Sequence, residues 1–227
     1  MRTAAILPVK RFARAKQRLG ESVADELRAA LARAMVADVL LALAQTDAIE
    51  RTIIVTGERS VAATAGELGA IVVEDDADSG QSAAATLGVR RALADGLERV
   101  LCVPGDCPAL DPAELELLLS GDYGERAVVI VPDRHGTGTN GLLLSPPDAI
   151  APSFGPDSCE RHRALALAAG LTAHVQRPTS LLLDIDTGAD LAVLRERLAE
   201  ISARAQRTRA VLGQPAPPDI LSITTTA

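Results

Sequence analysis

Five of the nine residues at positions 10–18 are basic: Lys10, Arg11, Arg14, Lys16 and Arg18. No acid lies among them, and Lys10 and Lys16 are the only lysines in 227 residues. Elsewhere the chain uses arginine, so lysine is selectively placed here. A cluster of this kind neutralises a polyphosphate, although a solvated basic loop has the same composition. Position favours phosphate. The segment leaves the end of an apolar run, residues 3–9, that reads as a buried strand, and open α/β sheets bind ligands beyond such strand ends.

Two further segments supply carboxylates. In Val103, Pro104, Gly105, Asp106, Cys107 and Pro108 a second apolar run ends in an acid braced by prolines. A rigidly mounted carboxylate suits magnesium, a hard cation that takes oxygen ligands. The run Leu181, Leu182, Leu183, Asp184, Ile185, Asp186 and Thr187 places two acids two residues apart, hence on one face of an extended chain. Asp186 is then either the cap of the last helix or a metal ligand beside Asp184. Each acid alone is an ordinary turn or cap residue; together they are more specific.

Two loops could hold an anion. Residues 136–141 match G-x-G-x-x-G, but Leu142, Leu143 and Leu144 and then Pro146 and Pro147 follow where a dinucleotide site needs a helix. The dinucleotide reading is rejected; a Gly/Thr loop wrapping an anion is retained. Phe154, Gly155, Pro156, Asp157 and Ser158 form a turn entering a helix, whose N-terminus attracts phosphate or carboxylate. Ser158 could donate its hydroxyl, and Arg161, His162 and Arg163 add positive charge. An ordinary capped helix is the alternative. No P-loop is present, residues 80–84 narrowly miss G-x-S-x-G, and His135, His162 and His174 lack metal-ligand spacing.

These residues need a scaffold, and composition constrains it. The net charge is −7, 48% of residues are hydrophobic, and Phe12, Tyr123 and Phe154 are the only aromatics. A core of Ala, Val, Leu and Ile follows. An acidic chain with three rings lacks the field and the stacking platforms of a nucleic-acid binder, so a nucleotide base would be read by hydrogen bonds and aliphatic packing. No run of about 18 uncharged apolar residues suggests a membrane span. The N-terminus lacks a signal-peptide pattern. Three cysteines without a C-x-x-C pair argue for a reducing cytoplasm.

Short β-rich runs alternate with longer helical runs, which predicts right-handed crossovers and a mostly parallel sheet with an antiparallel part late in the chain. The expected late elements are a strand over 181–184 and a final helix over 187–204; the first helix is expected over 22–45, capped by Ser22. Residues 1–207 read as one domain and residues 208–227 as an extended, mobile Pro/Thr-rich tail.

Taken in order, the blocks around residues 8–19, 105–110, 136–140, 154–158 and 184–191 resemble the phosphoenolpyruvate / 2-phospho-L-lactate guanylyltransferases of coenzyme F-420 biosynthesis. The resemblance spans roughly residues 3–195 and implies an α/β, Rossmann-like nucleotidyltransferase (glycosyltransferase A-like) fold, with a mixed, mostly parallel central sheet flanked by helices. It implies magnesium on Asp106, Asp184 and Asp186, and the phosphorylated three-carbon acid on Thr139, Gly155 and Ser158. GTP would lie along Pro8, Val9, Lys10, Arg14, Lys16, Gln81 and Ser82, with Lys10, Lys16 and Asp106 catalytic. Gln81 and Ser82 stand where the family commonly shows a Leu-Asn pair, a departure that bears on the choice of base. The implied reaction is attack by the acid's phosphate on the α-phosphorus of GTP with loss of pyrophosphate. Phosphoenolpyruvate is the expected acceptor; 2-phospho-L-lactate, 3-phosphoglycerate and cytidylyl or molybdopterin nucleotidyl transfer are alternatives, as is a non-catalytic nucleotide binder. The product would pass to a deazaflavin-attaching transferase. A homodimer stays open, and no nucleic-acid or membrane partner is expected.

Overall fold

The computed structural model describes residues 1–12, 19, 24–201 and 203–213. Ser22, Arg14 and Lys16 lie outside them. Seven strands form one sheet in the order β3-β2-β1-β4-β6-β5-β7. They are β1 (Thr3–Val9), β2 (Arg51–Thr56), β3 (Ile71–Glu74), β4 (Arg99–Cys102), β5 (Ala127–Pro132), β6 (Thr139–Ser145) and β7 (Ala173–Val175). Only β6 runs against its neighbours β4 and β5; the other pairings are parallel. The expected mixed, mostly parallel sheet is thus borne out.

The helices are α1 (Asp25–Ala44), α2 (Arg59–Glu67), α3 (Gln81–Ala94), α4 (Pro112–Ser120), α5 (Ser158–Ala168), α6 (Gly188–Glu200) and α7 (Gln206–Leu212). Strand β1 shows how they cover both faces. Its alternate residues Ala5, Leu7 and Val9 join a core with Val36, Leu40 and Leu43 of α1, while Ala4 and Ile6 join Ala85 and Val89 of α3. A strand buried on both sides reads as a continuous apolar run because period-2 alternation delivers apolar groups to two cores.

A third core was not foreseen. Leu31 and Met35 of α1 pack with Leu183, Ile185, Leu191, Leu194 and Leu198. This cluster corrects the strand expected over 181–184. Residues Thr179–Leu181 form a short 3₁₀ turn, and the following segment pairs with no strand. Its alternation is nevertheless real: Leu183 and Ile185 turn into the third core, and Asp184 and Asp186 line the cleft described below.

Three helix boundaries also differ from expectation. Ala24, not Ser22, occupies the N-cap position of α1. Thr187, not Asp186, caps α6, in a capping box closed by Asp190. Residues 208–212 are not extended tail, because they belong to α7. Asp38 of α1 accepts the amides of Arg207 and Thr208 at 3.1 and 2.8 Å, satisfying the free N–H groups at the start of α7. Buried Arg209 returns donors to the carbonyls of Leu198 and Ile201 at the end of α6.

Candidate active site

Chain order sets where a ligand can sit. From β1 the chain builds outward through β2 and β3, then returns to place β4 on the other side of β1. This reversal opens a crevice at the carboxyl ends of β1 and β4. Lys10 follows β1 and Asp106 follows β4, and both line a cleft of about 570 Å³. The antiparallel β6 begins at the same edge, so Thr139 and Asn140 enter the cleft from its first residues.

A bulge makes that entry productive. Val131 pairs with Gly141, but Pro132 pairs with Thr139, so Asn140 is an extra residue in β6. In a regular strand Thr139 and Asn140 would point to opposite faces; the bulge re-aims them, and both line the cleft. Gly141 is needed beside them. A Cβ there would stand 2.9 Å from both Leu181 and Val131, blocking the segment that carries Asp184.

The carboxylates converge through backbone and side chain. The Ile185 N–H donates to the Asp106 carbonyl at 3.1 Å, clamping the two acid-bearing segments together. Asn140 Nδ2 donates to Asp184 Oδ1 at 3.1 Å and to the Leu181 carbonyl at 3.0 Å, orienting the carboxylate. Burial raises the Asp184 pKa, and the charges of Asp106 and Asp186 raise it further, against the Asn140 hydrogen bond. A cation would relieve this repulsion. Among the described residues no three ligands form a ready-made cage. Magnesium does not require one, since it commonly binds one or two carboxylates together with waters and substrate phosphates. The all-oxygen donor set of Asp106, Asp184 and Asp186 fits it.

A further part of the lining is built around α5. Gly155, at φ +114°, and Ser158 line the cleft with Thr139. A side chain at that φ is strained, so glycine suits this turn. Ser158 is 1% exposed, and its Oγ has no hydrogen-bond partner among the described residues. A buried hydroxyl left unpaired is costly, and a ligand in the cleft can satisfy it. The wall itself is heavily braced. Arg161 donates to the carbonyls of Ser153, Phe154 and Pro156 and to Ser153 Oγ.

Some expected roles shift. Arg161 is a loop brace, and His162 carries no charge near neutral pH: burial, then the Arg161 charge, lowers its pKa to about 4. Ser82 does not line the cleft. Its Oγ accepts the Phe154 amide at 2.8 Å, tying α3 to the turn before α5. Pro8, Val9 and Gln81 do line the cleft. Of the three aromatic rings only Phe12 does, and it is largely buried. Asp75 and Asp78 also reach the cleft, and Asn140 and His162 support it. Their roles depend on a bulge and on loop packing, for which the linear pattern carries no signal. The Phe12 amide donates to Glu58, and Leu19 is fully buried, so the described residues on either side of 13–18 are anchored.

The fold and this cleft define a nucleotidyltransferase-type α/β protein of the glycosyltransferase A-like fold. A solved structure from Desulfovibrio desulfuricans G20, described as a nucleotide-diphospho-sugar transferase, superposes with a TM-score of 0.75 at 22% identity, covering 94% of this chain and 95% of that one. The chain belongs to the CofC-like guanylyl transferase family, whose model matches residues 3–197. It is 49% identical over 215 residues to a phosphoenolpyruvate guanylyltransferase from Conexibacter woesei, covering 94% of this chain and 96% of the relative. It is 33% identical to a 2-phospho-L-lactate guanylyltransferase from Methanothermobacter thermautotrophicus, covering 84% and 83%.

Proposed function

We propose that this chain transfers GMP from GTP to phosphoenolpyruvate, releasing pyrophosphate. The observation that carries the reading is that one cleft is lined both by acids and by groups that can hold an anion. Asp106, Asp184 and Asp186 line it together with Thr139, Gly155 and Ser158, whose buried hydroxyl is unsatisfied among the described residues. The relatives' names supply the substrates.

The phosphate of the acid attacks the α-phosphorus of GTP in line, and the bond to the pyrophosphate oxygen breaks. No protein nucleophile is needed. Thr139, Ser158 and the turn at Gly155 hold the three-carbon acid, and Lys10 lies along the triphosphate. Their work is to bring two mutually repelling anions together and hold them aligned. Asp106, Asp184 and Asp186 would hold magnesium, which when bound would supply charge neutralisation at the phosphates. Gln81, at the start of α3, stands toward the base. In this reading the product feeds a deazaflavin-attaching transfer in coenzyme F-420 synthesis.

The test is pyrophosphate release with magnesium and each nucleoside triphosphate, paired with phosphoenolpyruvate, 2-phospho-L-lactate or 3-phosphoglycerate. GTP with phosphoenolpyruvate is expected to give the highest kcat/KM. Preference for phospholactate would move this chain to the activity named for the Methanothermobacter relative. No release with any pair would end the enzymatic reading.

A further inference from the structure

The imidazole of His162 is fully buried and touches two walls of the acid pocket. The Ser153 backbone N–H approaches Nε2 at 2.9 Å, and Thr139 Oγ1 lies 3.1 Å from Nδ1. An amide N–H can only donate, so Nε2 accepts and the ring proton sits on Nδ1. Thr139 Oγ1 is therefore an acceptor toward His162. Its own proton has no other protein acceptor among the described residues, and Thr139 lines the cleft.

We propose that His162 is a positioning residue that fixes Thr139 as a hydrogen-bond donor to the anionic three-carbon substrate, and that ties Thr139 to the Ser153 turn so that both sides of the pocket hold one geometry. This rests on the function proposed above and deepens it.

Three neighbouring features support the assignment. Phe154 packs edge-on against the ring, with centroids 5.3 Å apart, so the imidazole cannot turn without disturbing the wall. Ser82 and Arg161 hold the same turn from two other directions. His162 stays uncharged near neutral pH, so the donor and acceptor pattern does not change over the working range. Were the ring the other tautomer, it would meet the Ser153 amide donor to donor, and Thr139 would have to donate to Nδ1 instead of to substrate.

The experiment joins kinetics to a spectrum. His162→Phe keeps an aromatic ring and loses both hydrogen bonds. It is expected to raise the KM for phosphoenolpyruvate about tenfold and to leave the KM for GTP within about twofold. His162→Asn, which can still donate toward Thr139, is expected to recover most of that loss. Thr139→Val combined with His162→Phe should be no worse than Thr139→Val alone, because His162 acts through Thr139. In the wild-type chain, long-range proton–nitrogen correlation should show a protonated Nδ1 and a bare Nε2.

A protonated Nε2 would overturn the assignment, even if the phenylalanine variant did not fold. So would multiplicative effects in the double variant, equal rises in both KM values, or unchanged kinetics in His162→Phe. A wild-type chain that releases no pyrophosphate is a separate outcome. It would remove the proposed function, and this inference with it.

Discussion

The Ile185 amide donates to the carbonyl of Asp106 at 3.1 Å, and this backbone bond brings together acids 78 positions apart in sequence. Asp184, one residue before Ile185, then sits in the field of Asp106, and its carboxyl is raised by burial and by that charge. Like charges gathered in a buried site cost the empty fold stability, and a cation would relieve that cost. Asp184→Asn should lower kcat by a factor on the order of 10²–10³. It should also raise the thermal midpoint of the metal-free protein by about 2–4 °C, the equivalent of about 1 kcal/mol for a chain of this size. Pyrophosphate release and calorimetry check the two halves. A lower midpoint would show that Asp184 serves the fold rather than a ligand.

Ser158 makes a related prediction with a different signature. Its buried Oγ lacks a partner among the described residues, so removing it costs the fold little. Ser158→Ala should leave thermal stability unchanged or raise it by up to about 1 kcal/mol. The KM for phosphoenolpyruvate should rise about tenfold, with the KM for GTP unmoved. Steady-state kinetics at saturating GTP measure this directly.

Asn140 should behave as a support for the metal ligand rather than as a ligand itself. Asn140→Ala removes the donor to Asp184 and to the Leu181 carbonyl. Loss of such a supporting bond typically costs 10–100-fold in metal affinity or activity, roughly. The expected result is a higher magnesium concentration for half-maximal rate, with partial recovery of rate at high magnesium. An unchanged magnesium profile would detach Asn140 from the metal site.

Helix α7 should depend on a residue of α1. Asp38, 4% exposed, accepts the amides of Arg207 and Thr208. Asp38→Ala should cost about 1–2 kcal/mol and accelerate hydrogen exchange at those two amides before the sheet core is affected. Uniform acceleration throughout the chain would show that α7 is not a separately released element.

Most strands were legible because their apolar runs end in or just before Gly, Pro or a charged residue, as at Val9–Lys10 and Cys102–Pro104. The acids were legible because rigid strand ends are marked by the same punctuation. The segment around Asp184 was half legible. Its alternation correctly put Leu183 and Ile185 on one side and Asp184 and Asp186 on the other, but strand pairing is decided by what lies alongside, and here that is a helix core. The Asn140 bulge was hidden because an extra residue shows only when two strands are set side by side. Helix α7 was obscured because the expected tail begins at Thr208, inside the helix; Asp38, far away in sequence, accepts the amides at its start.

His162 also predicts how the fold responds to acid. Burial, with the Arg161 charge, lowers its pKa from 6.5 to about 4. Below pH 6.5 the unfolded chain takes up a proton that the folded ring refuses, so stability is lost as pH falls from 6.5 toward 4 and is restored above that window. The loss amounts to at most about 3 kcal/mol. Asp38 and Asp184 tilt the other way, because burial raises their carboxyls and their folded-state preference is for the proton. The His162 share is isolated by comparison with His162→Asn, which has no titrating ring. Urea midpoints between pH 4 and 7 should fall more steeply for wild type than for the variant, and the two slopes should converge above pH 7. Parallel slopes across the range would mean that the buried ring is protonated as readily as one in water.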